Sequence, residues 1–299
     1  MSSFHRLTRA LAATAALGLA LSASASTPFF QPLHAPATGE QHPGKMIWAD
    51  LFTANPKAAT KFYSGLFGWT ANVIEQDGRT YTVFSNGQRP VAGLTSRHSG
   101  DLSRPSRWIS YIAVSDLPAT LALVTKAGGQ IRAPARAFPN RGSQAIITDP
   151  EDSPVGLLQS GSGDTPDTEP QPGDFNWFEL FSQKPADACL FYGQVFGYVT
   201  GADTRTARKD DYLLTSGDVP RGGVAPLPDR DDAKPGWLCV VRVESIDESL
   251  KRVILLGGEV LVAPRTVAYG SRFAIIADST GGTLGLVEYV DNANPATRP

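Results

Sequence analysis

The chain has 299 residues and a formal net charge of −2, with 41% hydrophobic and 19% charged residues. This is the composition of an ordinary globular protein, and the length allows two domains, each long enough to bury its own core. The near-neutral charge, together with the lack of a basic run interleaved with aromatic residues, argues against nucleic acid as a partner.

The chain begins with a segment typical of an export signal. A cationic start around Arg6 and Arg9 precedes an uncharged Ala/Leu run over 11–21, and the small residues up to Ala25 fit a cleavage site. The alternatives are a membrane anchor or a soluble amphipathic helix, but a run of roughly eleven apolar residues is too short to span a bilayer. We predict a signal peptide over 1–25 and a periplasmic or secreted mature protein without a membrane segment.

Residues 26–44 are rich in Pro, Ala and polar residues. Such a segment builds no packed element of its own, and it predicts a disordered N-terminal arm that is mobile or lies over the domain as a strap.

The first domain, predicted over 45–160, consists of two modules with the same order: one strand, one helix and three strands. Helical spacing of apolar residues follows Pro56 and stops at Gly68, whereas short alternating runs separated by turns of the Asp-Gly and Asn-Gly type predict strands. Strands are predicted near 46–52, 69–75, 80–85, 90–95, 108–114, 130–135, 144–148 and 155–159, and helices near 56–67 and 117–127.

An internal duplication organises the rest of the chain. The segment WADLFTANPKAATKFYSGLFGW, 48–69, returns without a gap as WFELFSQKPADACLFYGQVFGY, 177–198, and the offset of 129 residues holds far beyond it. A Gly, Ser, Pro and acid-rich linker over 161–173 separates the copies. The second domain is predicted over 174–290 with the same two-module plan, and a polar tail over 291–299 follows.

The two cysteines are Cys189 and Cys239, and neither recurs in the first domain. An oxidising compartment permits a disulfide between them, and two buried, inert thiols are the alternative.

The modules resemble a known family. Four strand-helix-strand-strand-strand units, the blocks FYSGLFGW and FYGQVFGY, and a closing hairpin with Asp149-Pro150 resemble the vicinal oxygen chelate superfamily, which holds glyoxalase I, extradiol dioxygenases and bleomycin-resistance proteins. The resemblance covers roughly 45–289. It implies an α+β fold in which four βαβββ modules form two glyoxalase-like domains in tandem.

Enzymes of this family hold a metal in the cleft between paired modules, using His or Glu on a first strand and Glu on a last strand. Carried over to this chain, those positions have side chains that cannot ligate a divalent ion. They are Trp48, Ile109, Trp177 and Leu238 on first strands and Gly156 and Gly285 on last strands. The resemblance therefore predicts that the usual metal site is absent from both domains, and we expect no metal and no cofactor.

Strand alternation predicts which side chains face each cleft if the family's ligand position does so. Aromatic rings with one acid would wall each cleft, which is the composition of a small-molecule site. The candidate ligand-binding residues are Trp48, Asp50, Phe52 and Tyr111 in the first domain and Trp177, Glu179, Phe181 and Arg242 in the second.

The two acids differ in their predicted partners. Glu179 is placed to pair with Arg242, whereas Asp50 has no equally obvious basic partner because Arg242 aligns with Ala113. Asp50 is therefore the better candidate for an acid that faces a ligand. The Arg-rich segments 97–107 and 132–141 are expected to be solvated surface.

Three functions remain open. The first is a metal-free binding protein that captures a small, partly aromatic molecule in one or both clefts. The second is an enzyme of the same superfamily with a relocated or absent metal and Asp50 or Glu179 as general base; no catalytic residue is otherwise assigned. The third is a structural or partner-binding protein in which Trp48 and Trp177 fill disused clefts. The sequence also leaves open whether modules pair within or across the halves and whether the protein is a homodimer.

Overall fold

The computed structural model describes residues 29–97, 105–206, 208–229, 233–267 and 270–289. The predicted signal peptide, 1–25, and tail, 291–299, lie outside the described residues. In the first domain the elements are β1 (Met46–Thr53), α1 (Pro56–Phe67), β2 (Thr70–Gln76), β3 (Arg79–Asn86), β4 (Arg89–Ser96), β5 (Arg107–Ala113), α2 (Leu117–Lys126), β6 (Gln130–Phe138), β7 (Gly142–Thr148) and β8 (Pro154–Ser160). In the second they are β9 (Phe175–Ser182), α3 (Pro185–Phe196), β10 (Val199–Ala202), β11 (Tyr212–Ser216), β12 (Val219–Pro226), β13 (Gly236–Arg242), α4 (Ile246–Leu255), β14 (Glu259–Thr266), β15 (Arg272–Ala277) and β16 (Thr283–Glu288).

The helix in the repeated block begins and ends where the sequence predicts. The Asn55 side chain accepts a hydrogen bond from the backbone N–H of Ala58 at 3.1 Å, and Pro56 occupies the first turn, where its missing N–H costs nothing. Gly68 ends α1 in the left-handed region, at φ 72°, and Gly197 ends α3 in the same way. Both copies of the block therefore present the same helical face.

Each domain contains one eight-stranded sheet, with strand orders β2-β3-β4-β1-β5-β8-β7-β6 and β10-β11-β12-β9-β13-β16-β15-β14. The two modules of a domain join where β1 pairs antiparallel with β5, and where β9 pairs with β13. Modules therefore pair within each half. The predicted α+β fold of two tandem glyoxalase-like domains is confirmed.

One continuous apolar core lies between the two domains. It contains Phe62 and Leu66 of α1 together with Phe191 and Val195 of α3, all buried. The domains thus share a core, whereas the length alone allowed each to bury its own. Because one face of each sheet is committed to this shared core, the clefts lie on the opposite faces.

The tyrosines of the two repeated blocks each donate a hydrogen bond to an aspartate of the other domain. The Tyr63 hydroxyl donates to Asp278 of the second domain at 2.6 Å, and the Tyr192 hydroxyl donates to Asp149 of the first at 3.2 Å. The duplication therefore produces a pair of equivalent buried contacts, which holds the domains in a nearly symmetric arrangement.

The described part of the N-terminal arm lies over the first domain as a strap, which is one of the two alternatives that the sequence leaves open. This part, 29–44, is not a disordered arm, because Phe29, Phe30 and Leu33 pack on the first domain. Backbone bonds reinforce this contact, including Thr38 N–H to the Ser162 carbonyl at 2.9 Å. We call residues 29–44 the strap.

Both cysteines are free and buried. Burial raises the pKa of Cys189 to about 11, so its thiol stays protonated and unreactive. The alternative of two inert thiols is therefore the one that the structure shows.

In the part of the chain that the structure describes, no helix combines the length and apolar character needed to cross a membrane.

Candidate functional site

The two clefts lie on the exposed faces of the sheets and differ in how they are filled. The first cleft is lined by the apolar cluster around Trp48 and Tyr111, and the second by the cluster around Trp177 and Phe273. Strand alternation brings together Trp48, Asp50, Phe52 and Tyr111 in the first cleft and Trp177, Glu179 and Phe181 in the second, as predicted.

A carboxylate network occupies the floor of the first cleft. Asp50 Oδ1 accepts from Trp48 Nε1–H at 2.8 Å and from the Tyr81 hydroxyl at 2.7 Å, and Tyr111 also bonds to Asp50. Burial raises the pKa of both tyrosines well above the usual range, so their hydroxyls stay protonated and remain donors. The acid is 3% exposed and satisfied by protein groups.

Two glycines make room for this network. A Cβ on Gly93 would overlap the Tyr81 hydroxyl and the Asp50 carboxylate, and a Cβ on Gly156 would overlap the Tyr111 ring. At Gly93 and Gly156 the space that a side chain would need is therefore taken by Asp50, Tyr81 and Tyr111.

Arg141 is the exception to the expectation that 132–141 is solvated surface, since Arg132 and Arg136 are exposed. It is 1% exposed, its guanidinium carbon lies 4.2 Å from the centre of the Trp48 ring, and its Nε–H donates to the Gln31 carbonyl at 2.7 Å. This buried cation and the Asp50 carboxylate both act electrostatically on the Tyr81 and Tyr111 hydroxyls, but no ion pair joins the two in the part of the chain that the structure describes. The sequence could not show the position of Arg141, because it comes from the turn between β6 and β7.

The strap closes the first cleft. The Phe30 ring lies 4.7 Å from the Tyr81 ring and 4.5 Å from the Phe138 ring, and Phe29 lies 5.7 Å from Tyr81. Leu33 is 7% exposed in the same cluster. Asp50 is therefore sealed from solvent, and the second cleft is the better candidate for a ligand site.

The second cleft contains a cavity of about 190 Å³. Aromatic and aliphatic side chains form most of its wall, and acidic and basic side chains complete the lining. The lining includes Trp177, Glu179, Phe181, Asp203, Arg205, Asp211, Val240, Arg265, Phe273 and Tyr289.

Substitutions between the copies explain why this cleft is open. The strand registers place Asp211 where the first domain has Tyr81 and Val240 where it has Tyr111. Position 270, 129 residues after Arg141, is glycine. Three large side chains are thus replaced by small or short ones, and the space that they fill in the first domain remains empty in the second.

Glu179 lies at the floor of the cavity and is half-buried. Its Oε2 accepts from Trp177 Nε1–H at 2.7 Å, and Gly223 leaves space for the carboxyl group in the way that Gly93 does in the first cleft. Burial raises the pKa of Glu179 to about 7, and the negative charges of Asp211 and Asp203 add to the rise. The carboxyl group therefore changes between its protonated and ionised forms near neutral pH.

Arginines near the second cleft do not pair as the sequence suggested. Arg242 lies outside the cavity lining and pairs with Glu169 at 3.2 Å, so the expected ion pair with Glu179 is wrong. Instead Arg205 lies over the Trp177 ring, 5.1 Å from its centre, and forms a bidentate pair with Asp203 at 2.8 and 2.9 Å. Arg242 is drawn away because the end of β13 lies beside the linker.

The residues of neither cleft fit the metal of the resembling enzymes. In the described ranges, no three His, Cys, Asp or Glu side chains lie close enough together to hold an ion. Each cleft acid instead receives an indole N–H from the first-strand ligand position, Trp48 or Trp177. We derive no chemical step through a metal.

Sequence reasoning missed three parts of the sites: Arg141, the strap rings and the far wall of the second cavity. Alternation along β15 could have identified Phe273, since its neighbours in the cluster follow the period of two. The adjacent Phe29 and Phe30, in an otherwise polar and Pro-rich arm, were a signal for a buried contact. No local signal identifies Arg141.

We expect Gly93→Ala to destabilise the protein by about 1–3 kcal/mol, since the added methyl group has no space beside Asp50 and Tyr81. The matched control is Gly201→Ala in β10, where a Cβ meets nothing within 4 Å and the free energy of unfolding should change by less than about 1 kcal/mol. Urea denaturation monitored by circular dichroism measures both. Equal effects of the two variants would show that the first cleft is not tightly filled.

We expect Glu179→Gln to stabilise the protein above pH 7 but not below pH 4.5. A carboxyl whose pKa is raised from 4.5 to about 7 binds more protons in the folded state, so wild-type stability falls as the pH rises through this window. The full pKa shift corresponds to a change of ~3 kcal/mol in the free energy of unfolding, and we expect roughly 2 kcal/mol because the group is only half-buried. Urea denaturation from pH 4.5 to 8.5 measures the difference, with Glu75→Gln, at an exposed position of β2, as control. A gain that does not depend on pH would contradict the shift.

Comparison with known proteins agrees with the fold. The family model of the Glyoxalase/Bleomycin resistance protein/Dioxygenase superfamily matches residues 45–155. Among solved structures, the Mn(II)-bound glyoxalase from Novosphingobium aromaticivorans has a TM-score of 0.56 at 15% identity, with 87% of this chain and 86% of that chain covered. A catechol 2,3-dioxygenase has a TM-score of 0.57 at 14% identity, with 85% and 90% covered. At such identities the likeness shows the fold alone.

Sequence relatives extend over both domains. CFP32 of Mycobacterium bovis, which is named a glyoxylase, is 30% identical over 260 residues, covering 85% of this chain and 98% of the relative. The anthracycline biosynthesis protein DnrV of Streptomyces peucetius is 29% identical over 260 residues, covering 82% and 94%. The chain therefore belongs to the glyoxalase/bleomycin resistance protein/dioxygenase superfamily, as a member with two tandem domains.

Proposed function

We propose that this protein binds a small, partly aromatic molecule in the second cleft and needs no metal to do so. The observation that carries the proposal is the open cavity of about 190 Å³, walled by aromatic rings and with Glu179 at its floor. The first cleft, which is the duplicated counterpart of the second, is instead filled by side chains and by the strap.

The size of the cavity limits the ligand. An engineered apolar cavity of ~150 Å³ accommodates benzene in another protein. This cavity is therefore large enough for one aromatic ring, or for most of a pair of fused rings. Larger ligands would project from the open side. Trp177, Phe181 and Phe273 offer flat apolar surfaces for ring packing.

The polar groups of the cavity specify a second property of the ligand. Ionised Glu179 accepts a hydrogen bond from a ligand hydroxyl, and the protonated form donates one to a ligand carbonyl. Asp203 is paired with Arg205, and Asp211 accepts from the Thr206 hydroxyl at 2.7 Å and lies 3.9 Å from Arg208. We therefore expect Glu179, on the central strand β9, to be the carboxyl group that orients the ligand. A hydroxylated aromatic compound satisfies these requirements.

The name of one relative supports the aromatic part of the proposal. Anthracyclines are fused-ring aromatic compounds, so the name of the Streptomyces relative fits a ligand of this chemistry. The residues at the family's metal positions support the metal-free part. The export signal predicted over 1–25 supports a periplasmic or secreted binding protein.

We expect 2-naphthol, a hydroxylated two-ring probe, to bind the wild-type protein with a Kd on the order of 10–100 µM, and Val240→Tyr to weaken binding at least tenfold. The substitution recreates the first-domain arrangement, since Val240 faces Gly285 in the register in which Tyr111 faces Gly156. Isothermal titration calorimetry measures both affinities.

The control is Val199→Tyr, which adds the same side chain at a position that is 68% exposed and outside the cavity. Its affinity should equal that of the wild type, and EDTA should leave all three affinities unchanged. Equal binding by Val240→Tyr would place the ligand elsewhere. Near-stoichiometric Zn, Fe, Mn or Ni in the purified protein would contradict the metal-free part of the proposal.

A second candidate function is metal-independent acid–base catalysis by Glu179, which its pKa of about 7 favours. If wild-type protein turns over hemithioacetals, catechols or epoxides, Glu179→Gln should lower kcat about 100-fold while leaving 2-naphthol affinity within a few fold. Steady-state assays of both proteins measure this. A wild-type protein that turns over none of these compounds, yet binds 2-naphthol, leaves the binding function alone.

A further inference from the structure

The first cleft holds a segment of the chain itself where the second cleft holds none. Phe29 and Phe30 pack against each other, with ring centres 5.0 Å apart, and both contact Tyr81. The backbone carbonyl that follows, at Gln31, accepts from the buried guanidinium of Arg141. The cleft thus contacts two adjacent rings and one backbone carbonyl of the segment, as a receptor contacts a bound peptide.

Residues 29–34, the part of the strap that lies in the cleft, have few hydrogen bonds to the domain. Residues 29–34 belong to no strand or helix, and Phe29 and Phe30 are each only partly buried. Besides the Arg141 bond, the described polar contacts of this stretch include His34 N–H to Ser162 Oγ at 3.1 Å. Local opening of such a segment costs much less than unfolding the domain.

The floor beneath the strap keeps the hydrogen bonds of its carboxylate without it. Asp50 keeps its bonds from Trp48, Tyr81 and Tyr111, and Arg141 keeps its position over the Trp48 ring. On opening, the floor would lose the bond from Arg141 to the strap carbonyl. An opened first cleft is therefore a preformed apolar groove with one cation, and not an unfolded region.

We propose that the first cleft is a peptide-binding site whose resident occupant is the strap segment 29–34, and that an external peptide with two adjacent aromatic residues can replace this segment. The two rings fill the space beside Tyr81 and Phe138, and the next carbonyl of the peptide accepts from Arg141. This site is separate from the small-molecule site of the second cleft.

The test uses the full mature chain carrying Phe29→Ala and Phe30→Ala, which weakens the resident segment, and the acetylated peptide FFQPLH, which has the sequence of 29–34. We expect the variant to bind the peptide with a Kd on the order of 100 µM, and the wild type to bind it at least tenfold more weakly. The wild-type strap competes at an effective concentration in the millimolar range. Fluorescence anisotropy of labelled peptide measures both affinities.

Two controls show whether the peptide occupies the first cleft through its aromatic pair. The peptide AAQPLH should not bind the variant, and adding Val240→Tyr to the variant should leave FFQPLH binding unchanged, since that substitution closes only the second cleft. Failure of 2-naphthol to bind would count against the proposed function without touching this result. A folded variant that does not bind FFQPLH, or that binds both peptides equally, overturns the inference.

Hydrogen exchange on the wild type provides a measurement that does not depend on the variant folding. We expect the backbone amide of His34, which donates to Ser162 Oγ, to exchange at least 100-fold faster than those of Tyr111 and Ile112 in β5, because the segment 29–34 opens locally. Equal exchange at these positions, limited by global unfolding, would show that the strap is part of the core and would overturn the inference.

Discussion

The hydrogen bond between an indole and a carboxylate on the central strand of each sheet is the interaction on which both sites depend. Trp48 donates to Asp50, and Trp177 donates to Glu179, in the same geometry. A carboxylate on the inner face of a sheet is costly unless it is satisfied. The two domains meet this cost differently: the first surrounds its acid with protein donors, whereas the second leaves its acid half-buried with a raised pKa.

This difference follows from the duplication. Because the copies share their fold and their core, the small residues at the last-strand positions persist in both, as Gly93 and Gly223 show. In the first domain the vacated space is occupied by tyrosines and closed by the strap, and in the second it remains a cavity. The two copies therefore share one core but differ in whether the cleft on the opposite face is filled or open.

The sequence predicted elements and faces well because those follow from short-range periodicity. The helix after Asn55, its stop at Gly68 and the inward faces of Trp48 and Trp177 all agree with the structure. It failed at side chains that reach a cleft from distant turns. Arg141 was interpreted as surface and Arg242 as a partner of Glu179, because spacing along a strand says nothing about where a long, flexible side chain ends.

The amino-acid sequence by itself determined the duplication, the α+β class, the two modules of each domain and the lack of metal-ligating side chains at the family's positions. The tertiary structure alone decided which modules pair, that the two domains share one core, that the strap fills the first cleft, and that Glu179 rather than Asp50 faces an open cavity. The reason is physical: local pattern sets which face of a strand is apolar, but burial, charge compensation and free volume depend on groups brought together from across the chain.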